Sequence, residues 1–159
     1  MTTKIQEYFI ENELSLSTAE SCTGGNIAHQ ITSLGGSSNY FLGTVVSYAN
    51  TIKINVLNVR ESDIKHYGVV SETVAVQLVQ GILNVTNSSY AISTTGIAGP
   101  GGGSLDMPVG TVWIGVGNKQ IQKANRYFFE GDRLDVIRKS TAQAIHDLED
   151  FVAEMQSNL

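Results

Sequence analysis

Apolar residues recur along this chain in two rhythms, one of three to four residues and one of two. Ile5 and Phe9 stand four apart with Tyr8 beside Phe9, which predicts a first helix ending near Asn12; Leu14 and Leu16 then share one face of a short strand. Residues 26–32 read as a helix, 34–38 (LGGSS) as a turn, and 41–48 (FLGTVVSY) as a strand by their β-branched content. A short helix is expected over 52–57. Ser71 opens SETVAVQLVQGIL as an N-cap, with Val74, Leu78 and Ile82 at four-residue spacing and Gly81 weakening the last turn. Residues 90–94 read as a strand. The runs 110–116 and 120–129 are separated by Gly117, Asn118 and Lys119, a hairpin-length gap that makes this pair antiparallel. Asp132 is placed to cap a long final helix with Ile137, Thr141, Ala144, Leu148, Phe151 and Met155 in one stripe. Helices alternating with strands predict a layered α/β domain with a mixed sheet.

Composition narrows what such a domain can do. With 159 residues, of which 42% are hydrophobic and 16% charged, the chain has the size and apolar content of one globular domain, taken as 1–159. No apolar run approaches the roughly 20 residues of a membrane span, and the amphipathic start lacks a signal peptide's apolar block, so no membrane partner and a cytoplasmic location are expected. A lone cysteine, Cys22, agrees with a reducing compartment and excludes a multi-thiolate zinc site. His29, His66 and His146 are scattered without metal-ligand spacing, so no metal is expected. A net charge of −5 without a Lys/Arg cluster argues against nucleic acid as partner, while a small anion remains admissible.

Two glycine-containing stretches change the picture. STAESCTGGN (17–26) follows the first strand, and TTGIAGPGGG (94–103) follows the strand at 90–94 with five of the sixteen glycines. Open α/β sheets bind ligands beyond the carboxyl ends of their strands, so two such loops face one crevice if their strands run parallel. Neither contains GxxxxGK[ST] or GxGxxG, which leaves Walker and Rossmann chemistry without a motif. A ligand-free surface loop is the ordinary alternative. Ser21 stands at a strand-to-helix junction, where the N–H groups of Thr23, Gly24 and Gly25 can face a developing oxyanion. SYANTIK (47–53) offers Lys53 as base, provided burial or a neighbouring cation favours its neutral amine, with Tyr48 or Arg133 assisting. Each of these residues alone has an ordinary reading: a solvated lysine, a packing tyrosine, a surface arginine. Cys22 is the rival nucleophile, and Glu20 either orients a donor or caps the next helix.

TAESCTGG, FLGTVVSYANTIK, YGVVSE, TTGIAGPGGGS, PVGTVWI and EGDR occur in the order and approximate spacing of the CinA-type C-terminal domain, and the chain resembles that competence-damage-inducible family over nearly its whole length. The family's stand-alone members are nicotinamide-nucleotide amidases. The resemblance implies a three-layer α/β/α sandwich with a mixed, mostly parallel sheet that includes an antiparallel hairpin. It also implies hydrolysis of the carboxamide of nicotinamide mononucleotide to nicotinate mononucleotide and ammonia, in pyridine nucleotide salvage, with no cofactor. It makes Ser21 the nucleophile and Lys53 its partner, assisted by Tyr48 and Arg133.

Substrate contacts are expected from Glu20, Thr23, Gly24, Gly25, Asn50, Thr95, Gly96, Gly99, Gly101, Gly102 and Ser104, the phosphate lying on glycine-loop N–H groups and a hydroxyl such as Ser104. The partner that the resemblance implies is a pyridine mononucleotide, and a homo-oligomer, most simply a dimer, is expected, with Leu34 and Phe41 as interface or core. The chain departs from the family at Ala49 and Thr51, where Ser and Glu are common, and at Met107, where a Lys often precedes PVG. Lacking the large N-terminal domain of longer members, it is expected to be the stand-alone form. A nucleotide-binding regulatory module without turnover is the alternative from another class.

Overall fold

The structure, a computed structural model, describes residues 3–157; Met1, Thr2, Asn158 and Leu159 lie outside the described residues. Among the described residues, α-helices and strands follow one another as α1 (Thr3–Glu11), β1 (Leu16–Glu20), α2 (Asn26–Thr32), β2 (Phe41–Val46), α3 (Asn50–Asn55), α4 (Glu61–Tyr67), α5 (Glu72–Thr86), β3 (Tyr90–Gly96), β4 (Thr111–Asn118), β5 (Gln122–Phe128) and α6 (Arg133–Ser157), with a 3-10 turn at Ser37–Asn39 before β2. The strands form one sheet in the order β2-β1-β3-β4-β5. β1 is parallel to both β2 and β3, whereas β4 runs antiparallel to β3 and to β5. Four strands therefore point one way and β4 alone is reversed, the mixed, mostly parallel sheet with a hairpin that the sequence predicts.

Alternation along the strands distributes the apolar residues over two cores. Leu16, Tyr90, Ile92, Val112 and Ile114 face α1, α2 and α6, meeting Phe9, Ile27, Ile31, Ala144, Leu148 and Phe151. Ala19 and Ala91 face the opposite way, under Val74, Leu78, Val79 and Ile82 of α5 together with Leu57 and Val59. Helices thus cover both faces, giving three layers. Fully burying a side chain such as Phe9 or Leu78 stabilises the fold by roughly 1.5–3 kcal/mol, so each core holds its helices firmly against the sheet. No helix of the described residues is long and apolar enough to cross a membrane.

Local chemistry explains the element ends. Ser71 caps α5, its hydroxyl accepting the Val74 N–H at 3.3 Å. Asp132 and Asp135 cap α6 reciprocally: the Asp132 carboxylate accepts the Asp135 N–H at 2.9 Å, and the Asp135 carboxylate accepts the Asp132 N–H at 3.2 Å.

Four expectations need correction. β1 begins at Leu16 and runs through Glu20, so Leu14 precedes it and STAE is strand. β2 ends at Val46, which leaves Tyr48 two residues beyond the strand. Gly81 lies inside α5, where a Cβ would come 2.2 Å from the Leu57 carbonyl oxygen; close approach of that backbone, and no weak last turn, is what it serves. α4 was not anticipated. Its acidic first turn and basic last turn complement the helix dipole, but Ile64 alone packs against the core, too little for a periodic signal.

Candidate active site

Because β1 and β3 are parallel and adjacent, their carboxyl ends meet: Glu20 pairs with Thr94, and on the other side with Val46 of β2. Ser21 is the first residue past β1, and its N–H donates to the Thr94 carbonyl at 3.1 Å. A cleft of about 210 Å³ opens there. Ser21, Cys22 and Lys53 line it together with Val69, Val70, Thr95, Gly96 and Ala98, while Tyr48, Asn50 and Arg133 stand at exposed positions around it. Larger hollows lie elsewhere, one of about 320 Å³ beside Leu57 and Gln77 and one of about 370 Å³ between α2 and α6. Neither contains a paired nucleophile and base, so chemistry and not size identifies the site.

Lys53, on α3, turns inward and is 1% exposed. Its Nζ lies 3.0 Å from Ser21 Oγ, 2.5 Å from the Ser47 carbonyl oxygen and 3.4 Å from that of Tyr48. No carboxylate forms an ion pair with it among the described residues. Burial therefore pushes its pKa down from 10.5 to about 8, against a weaker opposite pull from the Cys22 thiol. A neutral amine has two N–H bonds and one lone pair. Carbonyl oxygens can only accept, so in the neutral form Ser47 and Tyr48 take the two N–H bonds and the lone pair faces the Ser21 hydroxyl, whereas the ammonium donates to all three. Cys22 has the opposite fate: burial foremost pushes its thiol up to about 12, which keeps it protonated and unreactive at neutral pH.

Glu20 does not reach the cleft, contrary to its expected role as a substrate contact. The side chain is fully buried, and its carboxylate accepts the N–H groups of Gly25, Ile27 and Ala28 at 3.0, 3.1 and 2.8 Å and the Thr23 hydroxyl at 2.7 Å. It caps α2, whose N-cap residue Gly25 takes a left-handed φ of 98° and offers no side chain for the purpose. The Thr23 side chain is buried between Glu20 and the Thr94 hydroxyl, 2.8 Å away, and likewise stays out of the cleft. Two of the three proposed oxyanion donors are consumed: Gly24 N–H donates to the Ser21 carbonyl and Gly25 N–H to Glu20. The Cys22 N–H faces its own thiol, which leaves the Thr23 N–H as the one in this turn without an acceptor among the described residues.

Across the cleft, the Arg133 guanidinium donates to the Tyr48 hydroxyl and to the Gly99 carbonyl, each at 2.6 Å. One residue at the start of α6 thus ties the segment after β2 to the loop after β3. Thr95 and Gly96 line the cleft as expected, with the Thr95 hydroxyl donating to the Val69 carbonyl at 2.8 Å. Gly101, Gly102 and Ser104 do not line it; they lie exposed on the loop, where Ser104 exchanges hydrogen bonds with Met107. Ala49, Thr51 and Met107, the departures from the family pattern, are not cleft residues either, so the cleft lining keeps its chemistry despite them. Sequence reasoning missed Ser47, Thr94, Val69 and Val70. All four stand inside the motifs that carry the resemblance, SYANTIK, TTGIAGPGGGS and YGVVSE, and that membership was the available signal.

Residues 1–152 match the profile described as the CinA C-terminal domain. A CinA-like protein of Salinibacter ruber is 48% identical over 121 residues, covering 76% of this chain and 29% of its own length. One from Endomicrobium trichonymphae is 45% identical over 139 residues, covering 87% and 32%. The chain spans about a third of the length of these curated relatives. Among solved structures, the competence damage-inducible protein A of Klebsiella pneumoniae superposes with a TM-score of 0.90 at 32% identity, covering 94% of this chain and 93% of that one. The competence/damage inducible protein CihA of Agrobacterium tumefaciens gives 0.88 at 34%, covering 94% and 90%.

Proposed function

The chain belongs to the CinA C-terminal domain family, and from that premise we propose that it hydrolyses the carboxamide of nicotinamide mononucleotide to nicotinate mononucleotide and ammonia. The substrate is suggested by the family resemblance of the motifs. The reaction type is supported by one observation above all, the buried lysine amine 3.0 Å from a serine hydroxyl at a cleft.

Lys53, neutral and oriented by the Ser47 and Tyr48 carbonyls, takes the proton from Ser21 Oγ as the oxygen attacks the carboxamide carbon. The tetrahedral oxyanion draws on the backbone N–H groups at the start of this turn, that of Thr23 being the unspent one. Lys53, now an ammonium, returns the proton to the departing nitrogen, and ammonia leaves an acyl ester on Ser21. Water enters, gives its proton to Lys53 and attacks the ester. The serine recovers its hydrogen as the carboxylate is released. Val69, Val70 and Ala98 supply apolar surface for a flat ring, and Tyr48, held by Arg133, supplies an aromatic face beside it. No metal or cofactor enters this sequence of steps.

The test is ammonia release from nicotinamide mononucleotide without added metal, in the wild type and in Ser21→Ala. Turnover in the wild type with only background release in Ser21→Ala is expected, nucleotide binding being retained because the hydroxyl does not hold the ground state. Binding without ammonia release from the wild type would instead favour a regulatory nucleotide-binding module, and activity that persists in Ser21→Ala but disappears in Cys22→Ala would move the nucleophile to the thiol.

A further inference from the structure

Glu20 is a fully buried carboxylate at the edge of the site that the chemistry above leaves unused, and it has no cation beside it. Among the described residues no lysine, arginine or histidine pairs with it. Its Oε2 accepts from Thr23 Oγ1, Gly25 N and Ile27 N, and its Oε1 from Ala28 N at 2.8 Å and more weakly from Thr18 Oγ1 at 3.4 Å. These donors lie on both sides of the turn that begins at Ser21, so a single rigid group clamps the whole turn. The main chain of Glu20 adds a second anchor: its carbonyl accepts the Ser47 N–H at 2.7 Å, and the Ser47 carbonyl in turn accepts from Lys53 Nζ. Nucleophile and base are therefore both referred to one residue. A helix cap alone needs only the donors of α2; the hydroxyl of Thr23, which also meets Thr94 Oγ1, extends the clamp to the strand that receives the Ser21 N–H.

We infer that Glu20 is a positioning residue for Ser21: its buried carboxylate fixes the Ser21–Gly25 turn so that the Ser21 hydroxyl stays on the lone pair of Lys53. This rests on the reading of Ser21 as nucleophile and does not depend on which carboxamide is the substrate. In Glu20→Gln one oxygen becomes an NH₂ group, which must face either the Ala28 N–H or the donors of Thr23, Gly25 and Ile27, so a donor opposes a donor whichever way the amide turns. The turn then shifts, and a misplaced nucleophile loses rate while ground-state binding is spared.

The experiment follows the rate at which a fluorophosphonate labels Ser21, by intact mass and per folded molecule, in the wild type, Glu20→Gln, Thr23→Val and the core variant Phe151→Leu. Labelling is expected to slow about tenfold or more in Glu20→Gln and about threefold in Thr23→Val, the scale of a nucleophile displaced by a fraction of an ångström. Phe151→Leu is expected to lower the melting temperature without changing the rate. In turnover, kcat of Glu20→Gln falls in step with labelling and KM stays within about twofold. Unchanged labelling per folded molecule in Glu20→Gln, or in Thr23→Val should the first variant fail to fold, overturns the positioning role. If the wild type labels but releases no ammonia, the amidase reading fails while the positioning role is still decided by the labelling rates. If the wild type does not label at all, both fall.

Discussion

The turn after β1 and the loop after β3 are both glycine-bearing, begin at neighbouring strand ends and border one cleft, yet the structure uses them differently. In the turn, Gly24 and Gly25 adopt left-handed φ values of 61° and 98°, and their N–H groups bind the protein itself. That conformation places the Ser21 hydroxyl 3.0 Å from Lys53 Nζ. In the loop, Gly99 is buried and its carbonyl holds Arg133, while Gly101 and Gly102 lie exposed beyond the cleft. Glycine thus marks where the backbone must turn or approach another group. Whether a ligand is bound there depends on which N–H groups the protein has left unspent.

The sharpest way to break this comparison is to remove the base that meets the turn. Lys53→Arg and Lys53→Met are both expected to lower kcat on the order of 10²–10⁴-fold, because a guanidinium does not deprotonate in the accessible range and a thioether cannot take a proton. In the wild type, kcat/KM is expected to rise with pH through about 8, where the buried amine becomes neutral. Substantial kcat in Lys53→Arg would leave Lys53 as a mere electrostatic anchor. Stability runs the other way. Burial sets the folded pKa below the unfolded value, so the lysine's contribution is full above about 10.5 and is lost as pH falls through about 8. Lys53→Met removes this pH-dependent penalty, so its melting temperature relative to the wild type is expected to be higher at pH 7 than at pH 10. Thermal melts at pH 7 and pH 10 check the sign.

Much of this architecture was legible before any coordinates. The α6 stripe with its Asp132 cap, the Ser71 cap and the β4–β5 hairpin carry strong local signals, and α2 and α6 begin where the sequence predicts. The pairing of Ser21 with Lys53 was suggested by SYANTIK and by the family motifs, but its geometry was not, because the distance depends on how β1 and β2 align across the sheet. The three misassigned groups share one physical cause. Glu20, Thr23 and the glycine N–H groups looked available for substrate because a linear sequence does not display which donors and acceptors neutralise one another once buried. Ser47 was overlooked for the converse reason, since it acts through its backbone carbonyl, which every residue possesses.

A second, smaller effect tests how the two regions are joined. Arg133 bridges Tyr48 and Gly99 with two charge-assisted hydrogen bonds, so Arg133→Ala is expected to lower kcat/KM about 10- to 100-fold. Arg133→Lys is expected to recover little, because a single ammonium cannot reproduce the planar fork that reaches both acceptors. The sequence suggested that this cation would help lower the pKa of Lys53. Burial is instead the cause of the lowering. The midpoint near 8 should therefore persist in Arg133→Ala while the plateau falls, and a midpoint that climbs toward 10 would restore the electrostatic role.

The smallest effect separates the glycines of the loop from one another. A Cβ added at Gly101 meets nothing within 4 Å, its φ needs no glycine, and Ser104 spends its N–H and hydroxyl on Met107. Gly101→Ala and Ser104→Ala are therefore expected to change kcat/KM by about twofold or less, as surface substitutions do. Gly99 is different, because its φ is 88° and a Cβ there would come 2.5 Å from Val109 Cγ1. Gly99→Ala must move the carbonyl that holds Arg133, and its activity is expected to fall toward that of Arg133→Ala. Steady-state kinetics of these three variants on nicotinamide mononucleotide decide what the loop does. A tenfold rise in KM for Ser104→Ala would mean that the loop closes over the phosphate when substrate arrives, and its glycines would then serve the ligand after all.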